Sequence, residues 1–248
     1  GVGKKVYSKA AEHGKRVQAQ TEAKNHALVL EDCNLEATVN AIINSTYGCA
    51  GMRCMALPVV CVQESIADEF VALLKKKAEA MKLGCAYEED TDLGPVVNAG
   101  HKAKICDWIQ KGIDEGAELV LDGRNVKVPG YENGFFVGPT ILDHVKPGMT
   151  VGDREIFGPV TCIKRVKDYE EGIKIMNANP FANGSCIFTQ SGYYSRRFAM
   201  DTDGGMVGIN VGIPVPTAYF PFSGNKDSFF GDLHVLGKDG YRFFTRAK

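Results

Sequence analysis

Cys54 is the residue whose type and position best suit it to covalent chemistry. It lies in the hexamer 51–56 (GMRCMA), between a glycine-bearing turn and the apolar run 57–62, where a strand is expected to begin. Gly48 and Gly51 free the backbone to form a turn that presents the side chain and its own N–H. Arg53 next to it would favour the thiolate, which is the nucleophilic form. The alternatives are a small core residue for Cys54 and a solvated surface cation for Arg53.

The other cysteines do not suggest a disulfide framework or a metal site. The eight cysteines lie at positions 33, 49, 54, 61, 85, 106, 162 and 186, without the close pairing of a small disulfide-rich domain. No CxxC, HxxxH or Cys/His cluster occurs, so we predict no metal. Free thiols are expected, and the seven cysteines other than Cys54 are expected to be small core residues.

Composition indicates a water-soluble globular protein that acts on a small molecule. The chain has 248 residues, of which 44% are hydrophobic, enough to bury a sizeable core. Its 29 basic and 30 acidic side chains nearly balance, so nucleic acid and anionic membranes are not expected partners. No apolar segment has the roughly 18 residues that a membrane span needs. We therefore expect a cytoplasmic protein.

The elements that must position Cys54 alternate between strand and helix patterns. Strands are predicted at 27–30, 57–62, 118–121, 137–142, 160–166, 185–189 and 207–211, and helices at 2–18, 35–47, 66–81, 99–115, 169–177 and 194–202. Helical crossovers between strands favour a mainly parallel sheet covered on both faces. The predicted fold is therefore a three-layer α/β domain.

Two motifs about a hundred residues apart carry a family resemblance. The turn at Cys54 resembles the catalytic-cysteine loop of the aldehyde dehydrogenase superfamily, and the string 155–160 (EIFGPV) matches its second signature. The strings 24–26 (KNH), 131–134 (YENG), 137–140 (VGPT) and 221–224 (PFSG) are similar to the methylmalonate-semialdehyde dehydrogenase branch, which is CoA-acylating. The resemblance covers essentially all 248 residues but matches only the C-terminal half of a family member.

The resemblance implies a mechanism and a role for each of three residues. Cys54 would attack an aldehyde to form a thiohemiacetal, with its backbone N–H as one oxyanion donor. Hydride transfer to NAD would leave a thioester, which CoA cleaves as a co-substrate while the substrate carboxyl group leaves as carbon dioxide. Glu155 would bind the nicotinamide-side ribose, and Phe157 would lie near the nicotinamide ring. Without the resemblance, Glu155 would be interpreted as a surface carboxylate and Phe157 as a core aromatic residue.

One departure from the family pattern concerns the fate of the thioester. Hydrolytic members carry a glutamate four residues before the position of Lys24, where it activates water, and this chain has Gln20 there. An amide cannot take up the proton, so transfer to CoA is favoured over hydrolysis. Glu22 is close in sequence, but it occupies a position that is glycine in the hydrolytic pattern, and its side chain is expected to point elsewhere.

The resemblance also implies a domain organisation. Residues 1–23 would end a cofactor-binding domain, residues 24–223 would form the catalytic domain, and residues 224–248 a return segment and a truncated oligomerisation arm. The longer protein would be a homo-oligomer that takes malonate or methylmalonate semialdehyde, and the 248 residues alone are expected to have weak or no activity. A non-catalytic assembly module is the alternative, which selective labelling of Cys54 by iodoacetamide would contradict.

Overall fold

The computed structural model describes residues 1–248 and contains eight helices and eleven strands. The helices are α1 (Val2–Glu12), α2 (Leu35–Tyr47), α3 (Glu64–Glu79), α4 (Ala99–Asp114), α5 (Thr150–Asp153), α6 (Tyr169–Ala178), α7 (Gly192–Asp201) and α8 (Gly237–Phe244). The strands are β1 (Ala19–Gln20), β2 (His26–Val29), β3 (Val59–Gln63), β4 (Glu118–Leu121), β5 (Thr140–Asp143), β6 (Val160–Val166), β7 (Phe181–Ala182), β8 (Gly184–Phe188), β9 (Met206–Ile209), β10 (Asn225–Lys226) and β11 (Phe229–Phe230). A single 3₁₀ turn, Gly48–Gly51, follows α2.

Seven of the strands form one central sheet in the order β4-β5-β6-β3-β2-β8-β9. Every neighbouring pair is parallel except β4 and β5, which are antiparallel at one edge. The buried strands β2 and β8 have no exposed residue, because helices cover both faces of a parallel sheet. The prediction of a mainly parallel α/β sheet is therefore confirmed.

Alternate residues of the central strands supply two separate hydrophobic cores. Ala27 and Val29 of β2 belong to the larger core with side chains from α2, α3 and α4, whereas Leu28 points to the smaller core. Leu28 is paired in register with Cys61 and Ile187, and these three residues pack with α6 and α7 on the second face. This period of two is what a strand between two helical layers requires, and it gives the three-layer arrangement.

The boundaries of several elements differ from the sequence-based prediction. The helix predicted to reach residue 18 ends at Glu12, because Gly14 adopts a left-handed conformation with φ of +62° and the chain turns there. The strand predicted from residue 137 begins at Thr140, after Pro139, which has no N–H to donate to a neighbouring strand. The four two-residue strands were not predicted.

One pair of these short strands joins the two ends of the chain, and the other joins residues 225–226 to the segment before β8. Strand β1 pairs with β11, and β10 pairs with β7, both in antiparallel fashion. Arg16 strengthens the contact between the ends, since its guanidinium donates hydrogen bonds to the carbonyl oxygens of Arg242 and Thr245. None of the helices combines the length and apolar character that a membrane crossing requires.

Candidate active site

The candidate site lies at the amino-terminal edge of four adjacent strands. Cys54 precedes β3, the segment 155–157 precedes β6, Asn25 precedes β2 and Asn183 precedes β8. These strands are neighbours in the sheet in the order β6-β3-β2-β8. Because parallel strands all begin at the same edge, residues far apart in the sequence meet there.

Two asparagine side chains hold the Cys54 turn against this edge. Asn25 Nδ2 donates hydrogen bonds to the carbonyl oxygens of Cys54 at 2.9 Å and Ala56 at 2.8 Å, while its Oδ1 accepts one from the Gly184 N–H at 2.8 Å. Asn183 Nδ2 donates a second hydrogen bond to the Cys54 carbonyl at 3.1 Å. The Asn25 amide, whose nitrogen and oxygen both have partners, is a satisfied buried group of the kind that fixes one backbone position.

Gly51 brings the cysteine loop into direct contact with the second signature. Its φ is +69°, and a methyl group on its Cα would overlap the carbonyl group of Gly158 and lie 2.8 Å from the nitrogen of Pro159. A residue with a Cβ would therefore be strained in its backbone and would push the two segments apart. Glycine at position 51 is what allows the Cys54 turn and the 155–160 segment to touch.

Cys54 and Glu155 line the same small crevice. Its volume is about 20 Å³, and its walls are Ala23, Asn25, Thr46, Gly51, Arg53, Cys54, Ala56, Pro58, Glu155, Ile156, Phe157 and Gly158. Glu155 and Phe157 also line a much larger cleft of about 650 Å³ beside the first turn of α1. The structure thus brings together Cys54, Glu155 and Phe157, the three residues singled out from the sequence.

The thiol of Cys54 is exposed at the surface, yet its environment favours the protonated form. Partial burial raises its pKa above the usual value, and the negative charge of Glu155 raises it further. Hydrogen bonds from the backbone N–H groups of Cys54 and Met55 act in the opposite direction and lower the pKa of the thiol. At neutral pH the thiol consequently keeps its proton.

The expectation that Arg53 favours the Cys54 thiolate is wrong. Arg53 Nε donates to the sulfur of Cys49 at 3.2 Å, and its Nη1 donates to the carbonyl oxygen of Asn44 at 3.2 Å. Gly48 provides the room, because a Cβ at that position would collide with the guanidinium. The hydrogen bonds of the Arg53 guanidinium therefore go to Cys49 and Asn44 and not to the thiol of Cys54.

Glu155 is a carboxylate whose proton affinity is strongly altered. Burial raises its pKa to about 7, and the nearby carboxylate of Glu22 adds to this increase. The backbone N–H of Ala23 and the ammonium groups of Lys24 and Lys104 lower it, but they do not cancel the effect of burial. A carboxyl group with this pKa can bind and release a proton near neutral pH.

Phe157 has a strained backbone and an accessible ring. Its φ is +60°, which is rare for an aromatic residue, and its side chain is 37% exposed. His101 Nε2 lies 2.6 Å from the Phe157 carbonyl oxygen and donates to it, and the two rings meet edge to face. The hydrogen bond from His101 holds the backbone of this strained residue, and its ring lines the large cleft.

A buried lysine lies behind Glu155. Lys24 is 1% exposed, and its Nζ has no hydrogen-bond partner. Burial lowers its pKa, while the carboxylates of Glu155 and Asp153 raise it. Lys164, also buried, pairs instead with Asp153 at 3.2 Å. Lys24 therefore supplies positive potential beneath the carboxylate of Glu155.

The remaining cysteines are less uniformly buried than predicted. Cys61, Cys162 and Cys186 are buried, Cys33, Cys85 and Cys106 are half-buried, and Cys49 is exposed together with Cys54. The prediction that Cys49 is a core residue is therefore wrong. Its sulfur accepts the hydrogen bond from Arg53. All eight are free thiols, and no group of three or more metal-ligating side chains is present.

Gln20 and Glu22 both lie along the large cleft and not in the crevice. Gln20 belongs to β1, where it pairs with Phe229. Glu22 forms an ion pair of 3.7 Å with Arg154 at the same wall. The carboxylate of Glu22 is directed to Arg154, so it is not oriented toward Cys54.

Sequence reasoning missed Asn25, Asn183, Lys24 and His101 as functional residues. In the sequence, the string 24–26 stands out only through the family resemblance, although two polar residues directly before a buried strand could have indicated a site at the sheet edge. Nothing local distinguishes Asn183 or His101, because their roles depend on segments more than 50 residues away. Only the three-dimensional fold reveals them.

Fold and site together define a three-layer α/β protein with a candidate thiol nucleophile beside a ligand-sized cleft. The model of the aldehyde dehydrogenase family matches residues 1–248. Malonate-semialdehyde dehydrogenase 2 of Oceanobacillus iheyensis is 51% identical over 243 residues, which make up 98% of this chain and 50% of that protein. The malonate-semialdehyde dehydrogenase of Bacillus subtilis strain 168 is 50% identical over 248 residues, again half of its length.

Solved structures show the same similarity. The methylmalonate-semialdehyde dehydrogenase of Oceanimonas doudoroffii superposes with a TM-score of 0.97 at 42% identity, over 100% of this chain and 51% of its own. Betaine aldehyde dehydrogenase of Staphylococcus aureus, solved in complex with NAD+, gives a TM-score of 0.92 at 28% identity, over 96% and 47%. The chain belongs to the aldehyde dehydrogenase family, and it spans about half the length of the curated relatives it matches.

Proposed function

We propose that this chain supplies the nucleophile and part of the cofactor site of an NAD-dependent, CoA-acylating semialdehyde dehydrogenase. The observation that carries the proposal is the meeting of Cys54 and Glu155 in one crevice, with Glu155 and Phe157 also facing the larger cleft. Thioester chemistry requires a nucleophile close to a bound oxidant. Cys54 is the candidate nucleophile, and Glu155 links its crevice to the cleft that would hold the oxidant.

The large cleft has features that fit NAD. A volume of about 650 Å³ lies within the usual range for ligand sites. The first turn of α1 lines one wall and presents backbone N–H groups that suit a phosphate. Glu155 can accept hydrogen bonds from ribose hydroxyls, and the exposed ring of Phe157 can pack against a flat heterocycle. Lys104 and Arg154 add positive charge to the same cleft.

Several residues of the chain have separate roles in the proposed reaction. The Cys54 sulfur attacks the aldehyde carbon and forms a thiohemiacetal, and the backbone N–H of Cys54 stabilises the developing oxyanion. Asn25 and Asn183 hold the turn so that the thiol keeps its orientation during attack. Glu155 and Phe157 would hold NAD in the large cleft, and the bound cofactor would supply the hydride acceptor needed to oxidise the thiohemiacetal to a thioester. Sulfur suits both steps, because it adds readily to a carbonyl and leaves readily from a thioester.

CoA is the proposed acceptor of the acyl group. Gln20 lines the cleft at the position where hydrolytic members have the water-activating glutamate, and its amide cannot take a proton from water. The thioester on Cys54 therefore lasts until the CoA thiol attacks it. Acyl-CoA leaves, and the Cys54 thiol is restored.

Malonate or methylmalonate semialdehyde is the proposed substrate, giving acetyl-CoA or propionyl-CoA with loss of carbon dioxide. The support comes from relatives named for these semialdehydes at 42–51% identity. We further propose that residues 1–23 end a cofactor-binding domain, that residues 24–223 form the catalytic domain, and that residues 224–248 contribute to an arm in a homo-oligomer. In cells the proposed location is the cytoplasm.

Acyl transfer from acetyl-CoA to Cys54 tests the proposal in the reverse direction and needs no NAD. Purified chain incubated with acetyl-CoA should gain one acetyl group, which peptide mass spectrometry should place on Cys54. The exposed Cys49 serves as an internal control, and Cys54→Ser should remove the modification. Labelling of Cys49 and Cys54 alike, or of neither, would contradict the proposed nucleophile.

A further inference from the structure

The carboxyl group of Glu22 lies between two walls of the large cleft. Its Oε1 is 3.7 Å from the Nη2 of Arg154 on one wall, and its Oε2 is 3.6 Å from the position that a Cβ on Gly1 would take on the other. The same carboxylate is close enough to Glu155 to raise the pKa of that residue. Glu22 therefore puts a negative charge where a ligand that reaches from α1 to Glu155 must pass.

The backbone of Glu22 is fixed, so only its side chain is free to move. Ser228 Oγ donates to the Glu22 carbonyl oxygen at 2.8 Å, and the Thr21 N–H donates to the Ser228 carbonyl oxygen at 3.0 Å. Thr21 packs against the first turn of α1, because a Cβ on Gly3 would overlap its Cγ2. The Glu22 and Arg154 side chains are both partly exposed, and an ion pair of this kind contributes little to stability. The carboxylate can therefore leave Arg154 without disturbing the wall of the cleft.

The charges that line the large cleft balance each other. Its three basic residues are Lys4, Lys104 and Arg154, and its three acidic residues are Glu22, Glu155 and Asp227. Phosphate groups are attracted to clefts in which positive potential is in excess. Glu155 has a part in the proposed cofactor site as an acceptor for ribose hydroxyls, whereas Glu22 has none. The charge of Glu22 therefore cancels one of the cations that would attract the phosphates.

We propose that Glu22 is a specificity-determining residue of the large cleft, whose carboxylate competes with the phosphate groups of the cofactor for Arg154. A phosphate group that enters turns the carboxylate to solvent and takes its place beside the guanidinium. Arg154 stays at the wall during this exchange, because it also lies over the ring of Phe181, 5.5 Å from the ring centroid. The competition weakens the binding of phosphate-bearing ligands and speeds their release. This inference rests on the proposed cofactor site.

Binding of nicotinamide mononucleotide and of nicotinamide riboside tests the competition. The two ligands differ only in the phosphate group, and NMR titrations of the purified chain at pH 8 would give both dissociation constants. At this pH Glu155, with a pKa of about 7, is mainly ionised, so the comparison isolates the charge of Glu22. Glu22→Gln should bind the mononucleotide about 10-fold more tightly, because one repulsive charge near the surface is removed, and should bind the riboside no more tightly than wild type does. The gain should shrink at a salt concentration of about 1 M, which screens exposed charges.

Arg154→Gln is the matched control, because it removes the opposite charge from the same ion pair. It should bind the mononucleotide more weakly than wild type, and the double variant should return close to the wild-type affinity. A gain in affinity does not arise from a poorly folded variant, so the test is independent of small losses of stability. Equal affinities of wild type and Glu22→Gln for the mononucleotide, or an equal gain for the riboside, would overturn the role of Glu22 alone. No binding of the mononucleotide to wild type or to any variant would overturn the cofactor site together with it.

Discussion

Gly51→Ala should separate the cysteine loop from the second signature. The alanine would occupy a left-handed conformation, which costs about 1–2 kcal/mol for a residue with a Cβ. Its methyl group would also overlap the Gly158 carbonyl group, and an overpacked contact of this kind costs about 1–3 kcal/mol. We expect a loss of about 4 kcal/mol in the free energy of unfolding, measured by urea denaturation. The rate of Cys54 alkylation should change as well, because the crevice opens.

Gly130→Ala is the matched control for this prediction. Gly130 also has a positive φ of +80°, but no atom lies within 4 Å of the position its Cβ would take. This variant should lose only the backbone part, about 1 kcal/mol, and should leave the alkylation of Cys54 unchanged. If both variants lose the same stability and alkylate at the same rate, then close contact between positions 51 and 158 does not hold the site together.

Three other predictions concern the two asparagines that hold the Cys54 turn and the carboxyl group of Glu155. Asn25→Ala should destabilise the protein in urea by about 3 kcal/mol, because the Ala56 carbonyl and the Gly184 N–H lose their partners. Asn183→Ala should lower the free energy of unfolding by less, since Asn25 still binds the Cys54 carbonyl. Equal losses of stability in the two variants would be evidence against this hydrogen-bond network. Because the folded state raises the pKa of Glu155 to about 7, it binds this proton more tightly than the unfolded chain, and stability falls as pH rises from about 4.5 to 7. Glu155→Gln should remove about 2 kcal/mol of that fall, allowing for solvent screening, and parallel pH profiles of wild type and variant would refute the assigned pKa.

Much of the fold follows from local sequence pattern. The helices at 35–47 and 169–178 and the strands at 118–121 and 160–166 lie within a residue of their predicted limits, because apolar periodicity and capping residues act locally. The four short strands were missed because a two-residue strand has no periodicity. Each pair forms only when two segments far apart in the sequence meet.

The site could be predicted in part. The motif around Cys54 and the string beginning at Glu155 each precede a predicted strand, so a common sheet edge was within reach of sequence reasoning. The direction of Arg53 was not, because it depends on the space above Gly48 and on a carbonyl of α2. Local charge patterns therefore gave the wrong sign for the effect on the Cys54 thiol, whose pKa is governed by burial and by Glu155.

The fate of an acyl group on Cys54 tests the central claim most directly. The chain would be acetylated with p-nitrophenyl acetate, freed of reagent, and divided between buffer alone and buffer with CoA. Mass spectrometry would follow the acetyl group on Cys54, and chromatography would follow acetyl-CoA. We predict that the adduct persists in buffer and is converted to acetyl-CoA when CoA is added, whereas Gln20→Glu loses the acetyl group to water. Equally rapid loss from the wild-type chain with and without CoA would contradict an enzyme that transfers its thioester to CoA.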